Sequence, residues 1–437
     1  GLLVAAGIVT VFASTSSSNK AQNQLARLQE EGRFAISRLS TDLHMANGQY
    51  CTNSGGVALQ GSGGAYLDHL RAPKVYAKKL IGAAGAVSGA LSDVTTAWGA
   101  TSGGVTYPNA PTAPYSMPSF LFMRGYDCTP TACSPVDPNG SISAIPAMGT
   151  ALNDRVKGAD VITVRYINPS SGWAIGGTGS TIATSSSAST ITSITLAPLA
   201  GEPAAGNFVS GDLAMLADCS SAQIFPATAS SSGVITPVAN TTDGFGTGSS
   251  NAPAAQQPES APRLYDVNRD FQTVTYYLKV VSVNNDNKAP LTGALMRRVN
   301  GGIANAAHGG SEDELVRGVE RLDFKYGVQD AAGNTSFLSA SDVDASTSCP
   351  PSELNAITST GCLWRGIKSI EVNVLMDGQV PLYTLAASDL QYRYSADNNT
   401  GLLAPSGHAI APTDQGFPDQ MLRREFTALV AMRNYNP

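Results

Sequence analysis

The first thirteen residues, Gly1–Ala13, read GLLVAAGIVTVFA and carry no charge. The apolar pattern does not end there. Beyond a Ser/Thr-rich stretch at 14–18, the segment NKAQNQLARLQEEGRFAISRLSTDLHMANG places Leu25, Leu28, Ala35, Ile36, Leu39, Leu43 and Ala46 in one stripe, with Gly32 among them. Those intervals are helical, and charged residues occupy the other side. Arg27 and Glu31 stand one turn apart, as do Arg38 and Asp42, so each pair supports a helix weakly. No proline occurs before Pro73, and Gly48 is well placed as a stop. One continuous helix is therefore expected, about 45 residues and roughly 70 Å long at ~1.5 Å per residue. Its apolar part, 1–13, is greasy all round; its amphipathic part, 20–47, has one apolar face.

Such a helix has two different environments to satisfy. The uncharged run is shorter than the ~20 residues that cross a bilayer. It also lacks the basic start and small-residue cleavage site of a signal peptide. Leu2, Leu3, Val4, Ile8, Val9, Val11 and Phe12 must then be buried in lipid or among equivalent helices. Leu25, Leu28, Ala35, Ile36, Leu39 and Leu43 must instead lie on a folded head.

Composition describes that head. Of 437 residues, 42% are apolar and only 14% charged, against ~25% charged in an ordinary soluble domain. Gly (44) and Pro (25) are abundant, with Ser and Thr supplying most of the polarity, as suits a β- and loop-rich exported protein. The net charge is −6 and there is no basic run, which disfavours direct binding of nucleic acid through its phosphates. The six cysteines favour disulfides in such a composition. Cys128 with Cys133 and Cys349 with Cys362 are close in sequence, which leaves Cys51 with Cys219. No Cys-x-x-Cys occurs and the four histidines are scattered, so a zinc site is not expected.

Strands are expected over 161–166, 271–281, 320–328, 367–376 and 424–433, with a shorter one over 294–299, because these runs alternate or are β-branched and aromatic. Asn284–Asn287 reads as a hairpin turn. Segment 179–193 reads as an exposed hairpin and 241–262 as a low-complexity loop. Segment 51–157, rich in Gly and Pro, reads as a loop-rich insertion ahead of a β-rich head at 158–437.

Catalytic signals are weak. There is no HExxH, no P-loop and no nucleophile elbow. Gly244, Gly246 and Gly248 lack the strand and helix that a phosphate-binding loop needs. His44 reads as a packing or surface residue. The acidic groups Glu312, Asp313, Glu314 and Asp342, Asp344 leave calcium open as a ligand, although their spacing does not match a 12-residue EF-hand loop. The expectation is a protein without catalysis or cofactor. Tyr66, Tyr76, Tyr107, Tyr115 and Tyr126 offer either core packing or a glycan-binding face.

Several blocks resemble a known family. LARLQEEGRFAISRLSTDLHMANGQYC (Leu25 to Cys51) is similar to the junction helix of PilW-type minor pilins of the bacterial type IV pilus. ADVITVRYINPS, GDLAMLADCSSAQIF, ELVRGVERLDFKYGVQD, WRGIKSIEVNVLM and LRREFTALVAMRNY follow in family order. The resemblance implies an α+β fold: a long N-terminal helix packed on an antiparallel sheet, type IV pilin-like, with the insertion added. It implies an assembly subunit of the pilus tip, with other minor pilins, the major pilin and a large tip adhesin as partners. Location would be the inner membrane first and the extracellular pilus afterwards, with twitching motility and adhesion as indirect consequences. The family begins with a Phe or Met and carries Glu at the fifth position; Gly1–Thr10 holds no acid, so a short native segment upstream of Gly1 is expected. A type II secretion pseudopilin, and a membrane-anchored glycan-binding adhesin or secreted enzyme, are the alternatives.

Overall fold

A computed structural model describes residues 2–48, 58–60, 66–68, 73–78, 80, 91, 93, 95–102, 105–139, 145–168, 170–185, 189–218, 221–238, 242–246, 252–256, 261–302, 309–329, 334–347, 360–383, 386, 388, 390–397 and 410–432. One helix, Leu2–Met45, runs unbroken for 44 residues through the Ser/Thr stretch. It ends at Asn47, whose φ of 60° turns the chain. The Asn47 side chain then donates to the Trp364 carbonyl at 3.0 Å, tying the helix end to the head.

Among the described residues the remaining regular structure is mostly β. A central eight-stranded sheet has the order Ser311–Arg317, Leu291–Val299, Phe271–Ser282, Val161–Ile167, Met123–Cys128 and Cys133–Ser134, with Arg155–Val156 and Met148–Gly149 joined at its side. A nine-stranded sheet is built mainly from residues 173–266 around the antiparallel pair Leu213–Ala217 and Ala222–Ala229. A four-stranded antiparallel sheet orders Thr335–Leu338, Val319–Gln329, Ile367–Asp377 and Arg423–Ala431.

The central and four-stranded sheets meet at a corner. Ser311–Arg317 ends at Gly318, whose φ of +81° lets the chain swing straight into Val319–Gln329. Gly293 lies beneath this corner, where a Cβ would overlap the Val319 carbonyl oxygen. Between these sheets and the helix lies the main core, including Leu39, Leu43, Tyr276, Leu295, Phe324, Val372, Val374 and Val430. The nine-stranded sheet has a second core around Trp173, Ile194, Phe225 and Leu264.

The expected helix-on-one-sheet, type IV pilin-like α+β fold is therefore corrected. Among the described residues the chain has one long helix and is otherwise mostly β, in three principal sheets. The loop-rich insertion is corrected with it: Met123–Cys128 pairs with Val161–Ile167 inside the central sheet, and Lys74–Val75 runs parallel to Ala222–Ala229 in the nine-stranded sheet. The physical reason is that these strands are short and mixed in residue type (MRGYDC and KV), so their backbone groups are satisfied by pairing without showing strong alternation.

Candidate functional site: the projecting helix and its seat

The helix divides where burial begins. From Val4 to Asn23 none of its described side chains is buried; Gln24 is the first. Val4 (68% exposed), Ile8, Val9, Val11 and Phe12 (75% exposed) all face solvent. Val4, Ile8, Val11 and Phe12 share an apolar groove with Gly7 and Thr15. The side chains of Leu2 and Leu3 lie outside the described features. Among the described residues no helix is long and apolar enough to cross a membrane.

From Gln24 onward the helix is seated. Leu28, Ala35, Leu39, Leu43 and Ala46 are buried, and Ile36 packs partly against the same core. The three leucines contribute roughly 1.5–3 kcal/mol each before entropy. Leu25 departs from the expected packing: it is 37% exposed at the margin of the stripe. Its place is taken by polar contacts. Gln24 donates to the Val380 carbonyl (3.1 Å), and Arg27 donates to Gln379 Oε1 (3.0 Å). Gln379 in turn donates to Glu31 Oε2 (2.9 Å) and to the Arg317 carbonyl (3.0 Å).

Asp42 is the electrostatic centre of the seat. Its buried carboxylate accepts from Arg297 Nε at 2.7 Å, the Tyr276 hydroxyl at 2.6 Å and the Tyr166 hydroxyl at 3.0 Å. Burial alone pushes this carboxyl upward, but the Arg297 and Tyr276 hydrogen bonds, the Arg297 charge and Tyr166 outweigh it and hold it below the usual carboxylate range. The clasp thus keeps a charged helix residue ionised inside the head. His44 Nδ1 donates to the Ala431 carbonyl at 2.6 Å and fastens the last turn to the C-terminal strand. Sequence periodicity identified the apolar stripe, but Gln379, Arg297 and Tyr276 lie more than 230 residues from their helix partners and no local signal marks them.

The other candidate groups point inward or apart. Tyr107 is buried, with its hydroxyl donating to Asp344 and accepting from Arg124. Tyr115 is half-buried, edge-on to Trp98 and Phe245. Neither presents a glycan-binding ring. Asp344 also pairs with Arg124 and accepts from Trp364 Nε1, whereas Asp342 sits in the first turn of a short helix, its backbone N–H donating to the capping Ser339 hydroxyl and its carboxylate accepting from it. Glu312 pairs with Arg298, Glu314 with Arg317, and Asp313 accepts from Ser311. Among the described residues no three His, Cys, Asp or Glu side chains gather as a metal site. Cys128 and Cys133 are disulfide-bonded, and so is Cys362. Cys51, Cys219 and Cys349 lie outside the described residues, so the Cys51–Cys219 and Cys349–Cys362 pairings do too.

Much of the surface that receives the helix is contributed by Tyr276, Arg297, Gln379, Phe426 and Ala431. Residues 275–434 match the PilW family model, Type IV Pilus-assembly protein W. No curated protein and no solved structure matches the chain. All five of those helix-receiving residues fall within the PilW-matching region. The match supports a PilW-type protein with a role in type IV pilus assembly.

Proposed function

We propose that this chain is a non-catalytic minor pilin whose helix segment 1–13 inserts among the helices of other pilins. The observation that carries the reading is the row Val4, Ile8, Val9, Val11 and Phe12, exposed on a helix whose C-terminal half is firmly seated. Burying five such side chains against neighbours supplies roughly 1.5–3 kcal/mol each, gross, against the entropy of association. Before assembly the same surface rests in the inner membrane; afterwards the head stands outside the cell. A head of this bulk suits a tip complex that primes assembly and presents a large adhesin better than it suits a repeating shaft. Other minor pilins, the major pilin and that adhesin are the proposed partners.

The test is genetic and structural together. Cells lacking the protein should make few surface pili. A plasmid copy should restore them, and the double variant Ile8→Asp, Phe12→Asp should not, although its head folds normally. A photo-crosslinker at Val9 should capture other pilins, and antibody gold should label one filament end. Normal pilus numbers in the null strain overturn an assembly role; gold along the whole filament overturns the tip assignment.

A further inference from the structure

The hairpin at the outer edge of the central sheet carries the Cys128–Cys133 disulfide. Beneath it lies the side chain of Arg155, which is fully buried. Its Nη1 is 3.3 Å from Cys128 Sγ and 3.2 Å from Cys133 Sγ. The rest of the guanidinium is held in place: Nη2 donates to Asp137 Oδ1 at 2.8 Å and Nε to the Pro146 carbonyl at 3.3 Å. Asp137 is half exposed, so water screens the one carboxylate paired with this cation.

The arrangement favours one oxidation state. Disulfide sulfurs are poor acceptors for a buried N–H, whereas a thiolate is a strong acceptor and brings a buried negative charge to a cation whose only paired carboxylate among the described residues is half solvated. Asp160 Oδ1 accepts the Cys128 backbone N–H at 2.8 Å. Its Oδ2 accepts the Phe324 backbone N–H at 3.0 Å, and burial, reinforced by Asp323 and Asp127, pushes the Asp160 carboxyl up. Access is also unequal, because Cys128 is buried and Cys133 only partly so.

We propose that Cys128–Cys133 is a thiol-exchange site for small-molecule thiols, with Arg155 stabilising the leaving sulfur. An incoming thiolate bonds to Cys133 Sγ, the protein S–S bond breaks, and its electron pair leaves on Cys128 Sγ as a thiolate facing Arg155 Nη1. A second thiolate then attacks the small-molecule sulfur of the mixed disulfide. Cys133 leaves as a thiolate and takes a proton from water, and the two small thiols depart joined as their own disulfide. Two electrons have passed from them to the protein. The sheet survives this, because Met123–Tyr126 stays paired with Val161–Val164.

The experiment exposes the full chain to reduced glutathione at neutral pH under native conditions, then blocks free thiols and maps peptides by mass. Cys128 and Cys133 should open before the fully buried, disulfide-bonded Cys362. The glutathione adduct should sit on Cys133. Arg155→Met should slow opening by about tenfold or more, whereas Arg155→Lys should retain most of the rate. Asp137→Asn leaves Arg155 in place without its ion-pair partner, and should speed opening even if Arg155→Met fails to fold. The proposal is overturned if Cys362 opens first, if the adduct forms on Cys128, or if opening is no faster in Asp137→Asn.

Discussion

The tip of the Phe426 ring occupies the space where Gly32 would carry a side chain; a Cβ there would overlap ring atoms Cζ, Cε1 and Cε2. This places the C-terminal strand directly on the helix. Gly32 is unfavourable for an isolated helix by about 1 kcal/mol relative to Ala, so its presence is explained by tertiary packing. Gly32→Leu is expected to lower stability by about 1–3 kcal/mol through overpacking. Adding Phe426→Ala should recover part of that loss. Denaturant midpoints of the two single variants and the double variant check it; strictly additive effects would show that the two residues do not share space.

Asp42→Asn should destabilise the protein by about 3–5 kcal/mol, since Arg297 would remain largely buried without its charge partner. The pH dependence follows from the depressed Asp42 carboxyl. A carboxylate held low in the folded state adds stability above its unfolded value of ~3.9, and that stability is lost as pH falls through the folded value. Thermal melts of the variant should therefore flatten below about pH 4 relative to the parent.

Asp377 works in the opposite direction. Burial, with Glu320 nearby, pushes its carboxyl up to about 8, while Thr292 donates to Oδ2 and the Gln379 backbone N–H to Oδ1. The folded state then binds this proton more tightly than the unfolded chain does, so stability declines as pH rises from ~4 towards that value. Asp377→Asn preserves both contacts in shape. It should be close to neutral at pH 4 and stabilising by at least about 1 kcal/mol at pH 9, as chemical denaturation at the two pH values would show.

Phe12→Ser and Val9→Ser should leave the melting of the isolated protein unchanged within ~0.5 kcal/mol, because both side chains are already solvated. Self-association in detergent-free buffer should fall, which sedimentation measures. A loss of thermal stability would mean that these side chains pack on the head.

The helix was legible because its signal is local: a period of three to four residues, no proline, and Arg27 one turn from Glu31 at 2.7 Å. The strands Val161–Ile167, Phe271–Ser282 and Ile367–Asp377 announced themselves through β-branched and aromatic runs. The hairpin turn at Asn284–Asn287 also formed, with Asn285 and Asn287 at positive φ. The hairpin read over 179–193 also formed, Thr181–Thr184 pairing with Ile191–Thr195, but the nine-stranded sheet that contains it was harder to see. Thr181–Thr184 and Ile191–Thr195 are mostly hydroxyl-bearing and small, and the pairing of Ile191–Thr195 with Val234–Pro237 depends on a contact about forty residues away in sequence. The clasp around Asp42 was invisible for the same reason. Its arginine and tyrosines are ordinary strand residues until the fold brings them to one carboxylate.

Because the rod continues as one uninterrupted helix from its solvated segment into its seat, the head and the free end are mechanically indexed to each other. Deleting a single residue between 14 and 20 would turn the head by about 100° around the rod axis and draw it in by about 1.5 Å. The spacer therefore fixes a compass bearing: it determines which side of the body confronts each neighbour once the tip of the rod is gripped.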